Sequence, residues 1–152
     1  MNIGDFIGLG ILGVLIGIGT VFDIKTKTIP LVLPAVGLIG LLACLLMPCS
    51  INGAQRLIGC LPGLLLSIPA CMKRGIGIGD SMLVLLVGAT VGIGWLCLFL
   101  LISFFGMMAV SAGLLIRRKV KKNDTLPFYP FAAAGYVAMT MTIFMRVLEV
   151  YG

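Results

Sequence analysis

The 152 residues contain no histidine and few charges of either sign: five acidic side chains, Asp5, Asp23, Asp80, Asp124 and Glu149, against eleven lysines and arginines. Without histidine, Ser-His-Asp and Cys-His mechanisms and the histidine-bearing zinc sites are all excluded. The five cysteines, Cys44, Cys49, Cys60, Cys71 and Cys97, form no CxxC pair, so the four-cysteine zinc spacing is missing too. Each lies within or at the end of an apolar run and reads as a small buried hydrophobe. No metal and no cofactor is expected. Charged residues make up 11% of the chain and hydrophobic ones 61%, whereas soluble domains run near ~25% and ~45–50%. An ordinary soluble domain is excluded on composition.

What the chain has instead is a series of long apolar runs. A helix crossing the hydrocarbon needs about 20 residues. Phe6 to Phe22, Pro30 to Met47, Leu57 to Met72 and Thr125 to Met145 each suit one crossing, with Arg56 snorkelling at the start of the third. Ser81 to Ile116 is charge-free throughout, and as one helix it would run about 54 Å against a core of about 30 Å. It is expected to turn back at Thr90-Val-Gly-Ile-Gly94, where two glycines relax the backbone. The fold expected is all-α, a polytopic membrane protein of six transmembrane helices forming one membrane-embedded domain over residues 1–152. Pro34, Pro62 and Pro69 are expected to kink helices or to sit near their ends. Met1 to Asp5 holds no positive n-region, so Met1 is expected to begin the working protein.

Lysine and arginine in short loops set orientation. The stretches after spans one, three and five hold Lys25 and Lys27, then Lys73 and Arg74, then Arg117, Arg118, Lys119, Lys121 and Lys122, while the other side holds only Arg56 and Arg146. This bias predicts cytoplasmic basic loops, both termini outside, and a multi-pass protein of the cytoplasmic membrane. The net charge of +6 is accounted for by topology and by attraction to anionic membrane lipids. No nucleic acid partner is expected.

The 21 glycines include Gly4, Gly8 and Gly13, Gly17, the small-xxx-small spacing that lets membrane helices approach closely. Gly8-Leu-Gly10-Ile-Leu-Gly13 also matches a dinucleotide fingerprint, but no strand precedes it and no acid follows at the needed distance. Dinucleotide binding is set aside.

The carboxylates carry the chemistry. Asp5 and Glu149 read as solvated ends near the termini, and Asp124 as a loop residue or helix cap. Asp23 closes the first span and Asp80 opens the fourth, so the topology puts both at the cytoplasmic face. Each has an ordinary reading, Asp23 as an interfacial residue beside Lys25 and Asp80 as an N-cap favoured by the helix dipole. From Asp80 to the expected turn, however, is only about 18 Å of helix, so Asp80 is recessed. An ionisable group in the membrane costs about 3 kcal/mol and is a functional candidate by default. Two neighbouring carboxylates can act as acid and base on a water attacking a peptide bond, with no metal, histidine or serine.

Asp23-Ile-Lys-Thr-Lys-Thr-Ile29-Pro30 and Gly75-Ile-Gly77-Ile-Gly79-Asp80 resemble the two active-site signatures of the type IV prepilin peptidases, the GxGD class of intramembrane aspartic proteases. Leu126-Pro127-Phe128-Tyr129-Pro130-Phe131, followed by Gly135, is similar to the Pro-Phe-x-Pro-Phe stretch that opens that family's last helix. The resemblance implies a six-helix core with Asp23 and Asp80 as the catalytic pair. It also implies that Gly77 and Gly79 let Asp80 approach Asp23, that Pro30 fixes the loop behind Asp23, and that Pro127, Phe128 and Pro130 flank the site. Substrates would be prepilins or pseudopilins with short basic leaders, cut after a glycine at the cytoplasmic membrane face. Leu31 stands where the family usually has asparagine, and Met82 where it commonly has lysine; Lys73 or Arg74 is the candidate replacement for that charge. With 22 residues before Asp23, the chain resembles the short forms found with Flp/Tad-type pili, so no methyltransferase activity is expected. The competing readings are a transporter or proton pathway, which would set carboxylates along a route between the two membrane faces, and a catalytically silent pilus assembly factor.

Overall fold

The computed structural model describes residues 3–26, 35–39, 52–72, 77–116 and 127–151. These residues form α1 (Ile3–Thr26), a helical stretch α2 (residues 35–39), α3 (Gly53–Cys71), α4 (Ile78–Ile116) and α5 (Tyr129–Tyr151), with no strand among them. Four helices, α1, α3, α4 and α5, are long and apolar enough to cross a membrane. Of the expected second span only residues 35–39 are described. Pro30, Leu31, Pro34, Cys44, Cys49, Lys73, Arg74, Asp124 and the basic residues 117–122 lie outside the described residues.

The burial pattern is that of a multi-pass membrane protein. Large apolar side chains such as Leu57, Phe105, Met108 and Ile116 face outward, while Asp5, Asp23, Arg56, Ser81, Thr90 and Ser103 are buried. Lipid solvates the apolar exterior, and polar groups satisfy one another inside. Thr90 and Ser103 do so locally, each hydroxyl donating to the carbonyl one turn back, Leu86 at 2.8 Å and Phe99 at 2.7 Å.

The first part of α4 is the axis of the bundle. From Ser81 to Gly92 nearly every residue is buried, as befits a helix that is apolar all round. Leu83, Val84, Leu86 and Val87 pack with Leu12 and Ile16 of α1, Leu96 and Phe99 of later α4, and Tyr129, Ala132 and Met139 of α5. The helix breaks at Gly92 (φ 78°, ψ 174°), inside the glycine pair where a turn is expected. Leu96 Cδ2 lies 3.0 Å from where a Cβ on Gly88 would stand. Eight residues of unbroken helix would separate the two by about 12 Å, so the chain doubles back at the break. Only glycine adopts that backbone conformation without strain.

Glycine packing lies chiefly elsewhere than the sequence suggests. Gly59 of α3 meets the backbone of Gly88 and Gly92, and Gly63 meets that of Leu85. This Gly59/Gly63 face brings α3 against α4 at backbone distance. In α1, Gly8 receives the Thr90 methyl and Gly13 the Tyr136 ring, but Gly17 faces open space.

Helices extend beyond several of the charge-free runs. α1 continues through Asp5, Asp23 and Lys25 because its charges have protein partners or a helix-end position. α3 begins at Gly53 and runs through Pro62 and Pro69 to Cys71. α5 begins at Tyr129, four residues after the expected start, and passes Arg146, whose guanidinium lies 5.6 Å from the Trp95 ring centre. Two expectations are corrected. Asp5 is not a solvated end: it is 3% exposed and pairs with Arg56, itself buried and not snorkelling, at 3.5 Å. Cys71 and Cys97 are exposed on the helix exterior, where lipid serves as well as a protein core for a small apolar side chain.

Candidate active site

The opening turn of α4 is built around a carboxylate folded back on a glycine. Gly77 occupies the N-cap position, its carbonyl accepting the amides of Asp80 at 3.1 Å and Ser81 at 3.3 Å. The Asp80 carboxylate, third in the helix, turns back toward Gly77, the position that the acid of a capping box takes. A Cβ on Gly77 would stand 3.1 Å from Asp80 Oδ2. Glycine leaves room for the carboxylate to turn back. Asp80 is not itself the N-cap; it lies three residues further in and half-buried.

α5 starts in an equally specific way. The Phe128 carbonyl accepts the amides of Phe131 and Ala132, both at 3.1 Å, so Phe128 is the N-cap and Tyr129 the first helical residue. Pro130 follows and has no N–H. Tyr129 therefore presents the first amide of the helix, and that amide donates to Asp23 Oδ2 at 3.0 Å. Asp23 is 6% exposed, and the positive end of the α5 dipole meets its charge. One turn earlier on α1, the Thr20 hydroxyl lies 2.7 Å from the Ile16 carbonyl and 3.3 Å from that of Tyr129. Asp23 holds the Tyr129 amide, and the Thr20 hydroxyl lies beside its carbonyl. The Phe128 ring rests against Phe104, centroids 5.8 Å apart.

These two helix starts meet at the end of α1. Asp23 and Asp80, 57 positions apart in sequence, lie close enough to interact electrostatically. The Tyr129 phenol is buried beside them within electrostatic reach of both, and its hydroxyl lies 3.5 Å from the Gly79 carbonyl. Asp23, Gly77, Gly79, Asp80, Phe128 and the flanking prolines Pro127 and Pro130 thus belong to one end of the bundle, whereas Pro30 lies outside the described residues. Among the described residues no group of three or more His, Cys, Asp or Glu converges. Carboxyls brought within a few ångströms of each other can share a proton, one accepting while the other donates.

Tyr129 is the residue that sequence reasoning passed over. It occupies the variable position between Phe128 and Pro130, and its closest tie to Asp23 is through a backbone amide, which side-chain identity does not advertise.

The model of the type IV leader peptidase family matches residues 9–112, more than half of the chain. The matched stretch contains Asp23 and Asp80 and ends before α5. No curated protein and no solved structure matches.

Proposed function

The chain belongs to the type IV leader peptidase family, and from that premise we propose that it is an aspartic endopeptidase in which Asp23 and Asp80 are the catalytic pair. The placement of both aspartates around Tyr129 carries the reading, Asp23 on its amide and Asp80 next to the Gly79 carbonyl that its hydroxyl approaches. The ionised carboxylate takes a proton from water as the oxygen attacks the scissile carbonyl, and the protonated one donates to the carbonyl oxygen. Collapse of the tetrahedral intermediate breaks the C–N bond, with the proton gained in the first step passing to the leaving amine. Tyr129 N–H at Asp23 and the α4 opening turn at Asp80 supply fixed dipoles at the reacting end.

The substrates in this reading are pilin-like chains with basic leaders, of the Flp/Tad type, cut after a glycine at the cytoplasmic face of the cell membrane. The apolar stem of such a substrate enters laterally from the lipid, and the residues around the cut unwind. The break at Gly92 supports a count of six spans in one membrane-embedded domain, and the basic-loop bias supports both termini outside. The 152 residues are read as a peptidase unit without methyl transfer.

The test is cleavage of a leader-bearing prepilin by the lipid-reconstituted chain, with Asp23→Asn and Asp80→Asn alongside. Trimming by the parent and silence from both folded variants is the expected result. Cleavage that survives both substitutions would falsify the paired-aspartate reading.

A further inference from the structure

We infer that the Tyr129 hydroxyl is a positioning group for the two carboxylates, fastening the opening turn of α4 to the start of α5. The inference rests on the peptidase reading and adds to it a residue outside the two aspartate motifs.

Three elements converge on Tyr129. Its amide is fixed by Asp23 at 3.0 Å, and its carbonyl lies 3.3 Å from the Thr20 hydroxyl, whose shorter contact is to Ile16 at 2.7 Å, so Asp23 is the main hold of α1 on this backbone. The ring is 2% exposed and packs in the core with first-half α4 residues such as Leu83 and Val84, which leaves the phenol no freedom to seek another partner. Its oxygen is thereby delivered to the Gly79 carbonyl at 3.5 Å, one peptide before Asp80. The Asp80 carboxylate is folded back beside Gly77, but both lie on the same opening turn. Among the described residues no hydrogen bond from that turn reaches α1 directly. The phenol supplies the link, because α1 fixes the backbone of the residue that bears it.

The hydroxyl also lies within electrostatic reach of both carboxylates. It carries a proton donor to a place where negative charge accumulates, 3.5 Å from the Gly79 carbonyl. Removing the oxygen keeps the ring, its packing and the Asp23 hydrogen bond, but frees the α4 turn. The carboxylates then sample separations that do not support proton sharing.

Tyr129→Phe isolates the oxygen. Tyr136→Phe is its control, since Tyr136 also donates a phenol across helices, to the Leu9 carbonyl at 2.5 Å, away from both aspartates. Steady-state cleavage of a prepilin peptide in lipid, with thermal unfolding recorded for each variant, reads the difference. Tyr129→Phe is expected to lose about tenfold in kcat with KM within about twofold, the size of one lost positioning hydrogen bond. Tyr136→Phe is expected to melt earlier and keep its kcat. A Tyr129→Phe kcat within about twofold of the parent, a loss confined to KM, or equal kcat losses in the two variants would overturn the inference. Asp23→Asn and Asp80→Asn run in the same assay separate the two readings. If both are silent while Tyr129→Phe is normal, only the positioning role fails; if both cleave, the peptidase reading fails and this inference with it.

Discussion

The backbone amide of Tyr129 donates to the Asp23 carboxylate at 3.0 Å, joining the last turn of α1 to the first residue of α5. This bond gives Asp23 a structural duty separable from its chemistry. Asn at position 23 keeps an oxygen acceptor for the amide, whereas Leu leaves a buried N–H unsatisfied, at a cost of about 1–3 kcal/mol. Asp23→Asn is expected to unfold with the parent yet lose about 10²–10⁴-fold in cleavage. Asp23→Leu is expected to lose activity and stability together, as denaturant titration in micelles will read.

Gly77→Ala probes the other carboxylate. The added methyl would sit 3.1 Å from Asp80 Oδ2, so the carboxylate must give by a few tenths of an ångström to keep its folded-back position. The rest of α4 is untouched, and a stability change within about 1 kcal/mol is expected. Cleavage is expected to fall by about tenfold or more, the scale on which a misplaced reacting group is felt. Parental turnover in a folded Gly77→Ala variant would show that the close approach of Asp80 to Gly77 is dispensable.

Two glycine substitutions separate packing from composition. At Gly59 an added methyl meets the backbone of Gly88, and α3 must move. Overpacking of this kind costs about 1–3 kcal/mol. Gly17 has open space around it, and Gly17→Ala is expected to fall within about 0.5 kcal/mol of the parent. Equal effects on the unfolding midpoint would argue against the Gly59/Gly63 face as the close-packed one.

The Asp5–Arg56 pair lends itself to a double-mutant cycle. Both side chains are at most 10% exposed, and breaking a buried ion pair by removing one partner costs about 3–5 kcal/mol. Arg56→Gln and Asp5→Asn are each expected to destabilise, and the double variant to lie nearer the parent than either. Strict additivity would mean that the two groups do not recognise each other.

Much of this was legible because membranes leave few options. The charge-free run from Ser81 to Ile116 is too long for one crossing, and the two glycines within residues 90–94 place the expected turn there, where Gly92 breaks α4. Asp23 and Asp80 stood out because carboxylates are scarce among apolar runs, and the family match spans both. Asp5 escaped because proximity to the N-terminus suggests solvent. Its signal was nonetheless present, since the lysine and arginine bias assigns Asp5 and Arg56 to the same side. Gly59 and Gly63 have the small-xxx-small spacing too, but so do many other pairs among 21 glycines, and spacing does not say which faces a neighbour. Tyr129 was invisible in a different way, since every residue except proline offers a backbone amide.

The break at Gly92 makes the first part of α4, residues 78–91, a short member among longer ones. It spans about 21 Å, while α1, α3 and α5 run for 24, 19 and 23 residues. A lone helix of that length would draw the bilayer inward to match it, but this one is walled off from lipid by its neighbours along most of its sides. In the six-span reading proposed above, the mismatch is absorbed within the protein, as a well whose floor is the Asp80 turn. How deep that floor lies is decided by the number of residues between Asp80 and Gly92, and adding or deleting a turn there would raise or lower it whatever lipid surrounds the bundle.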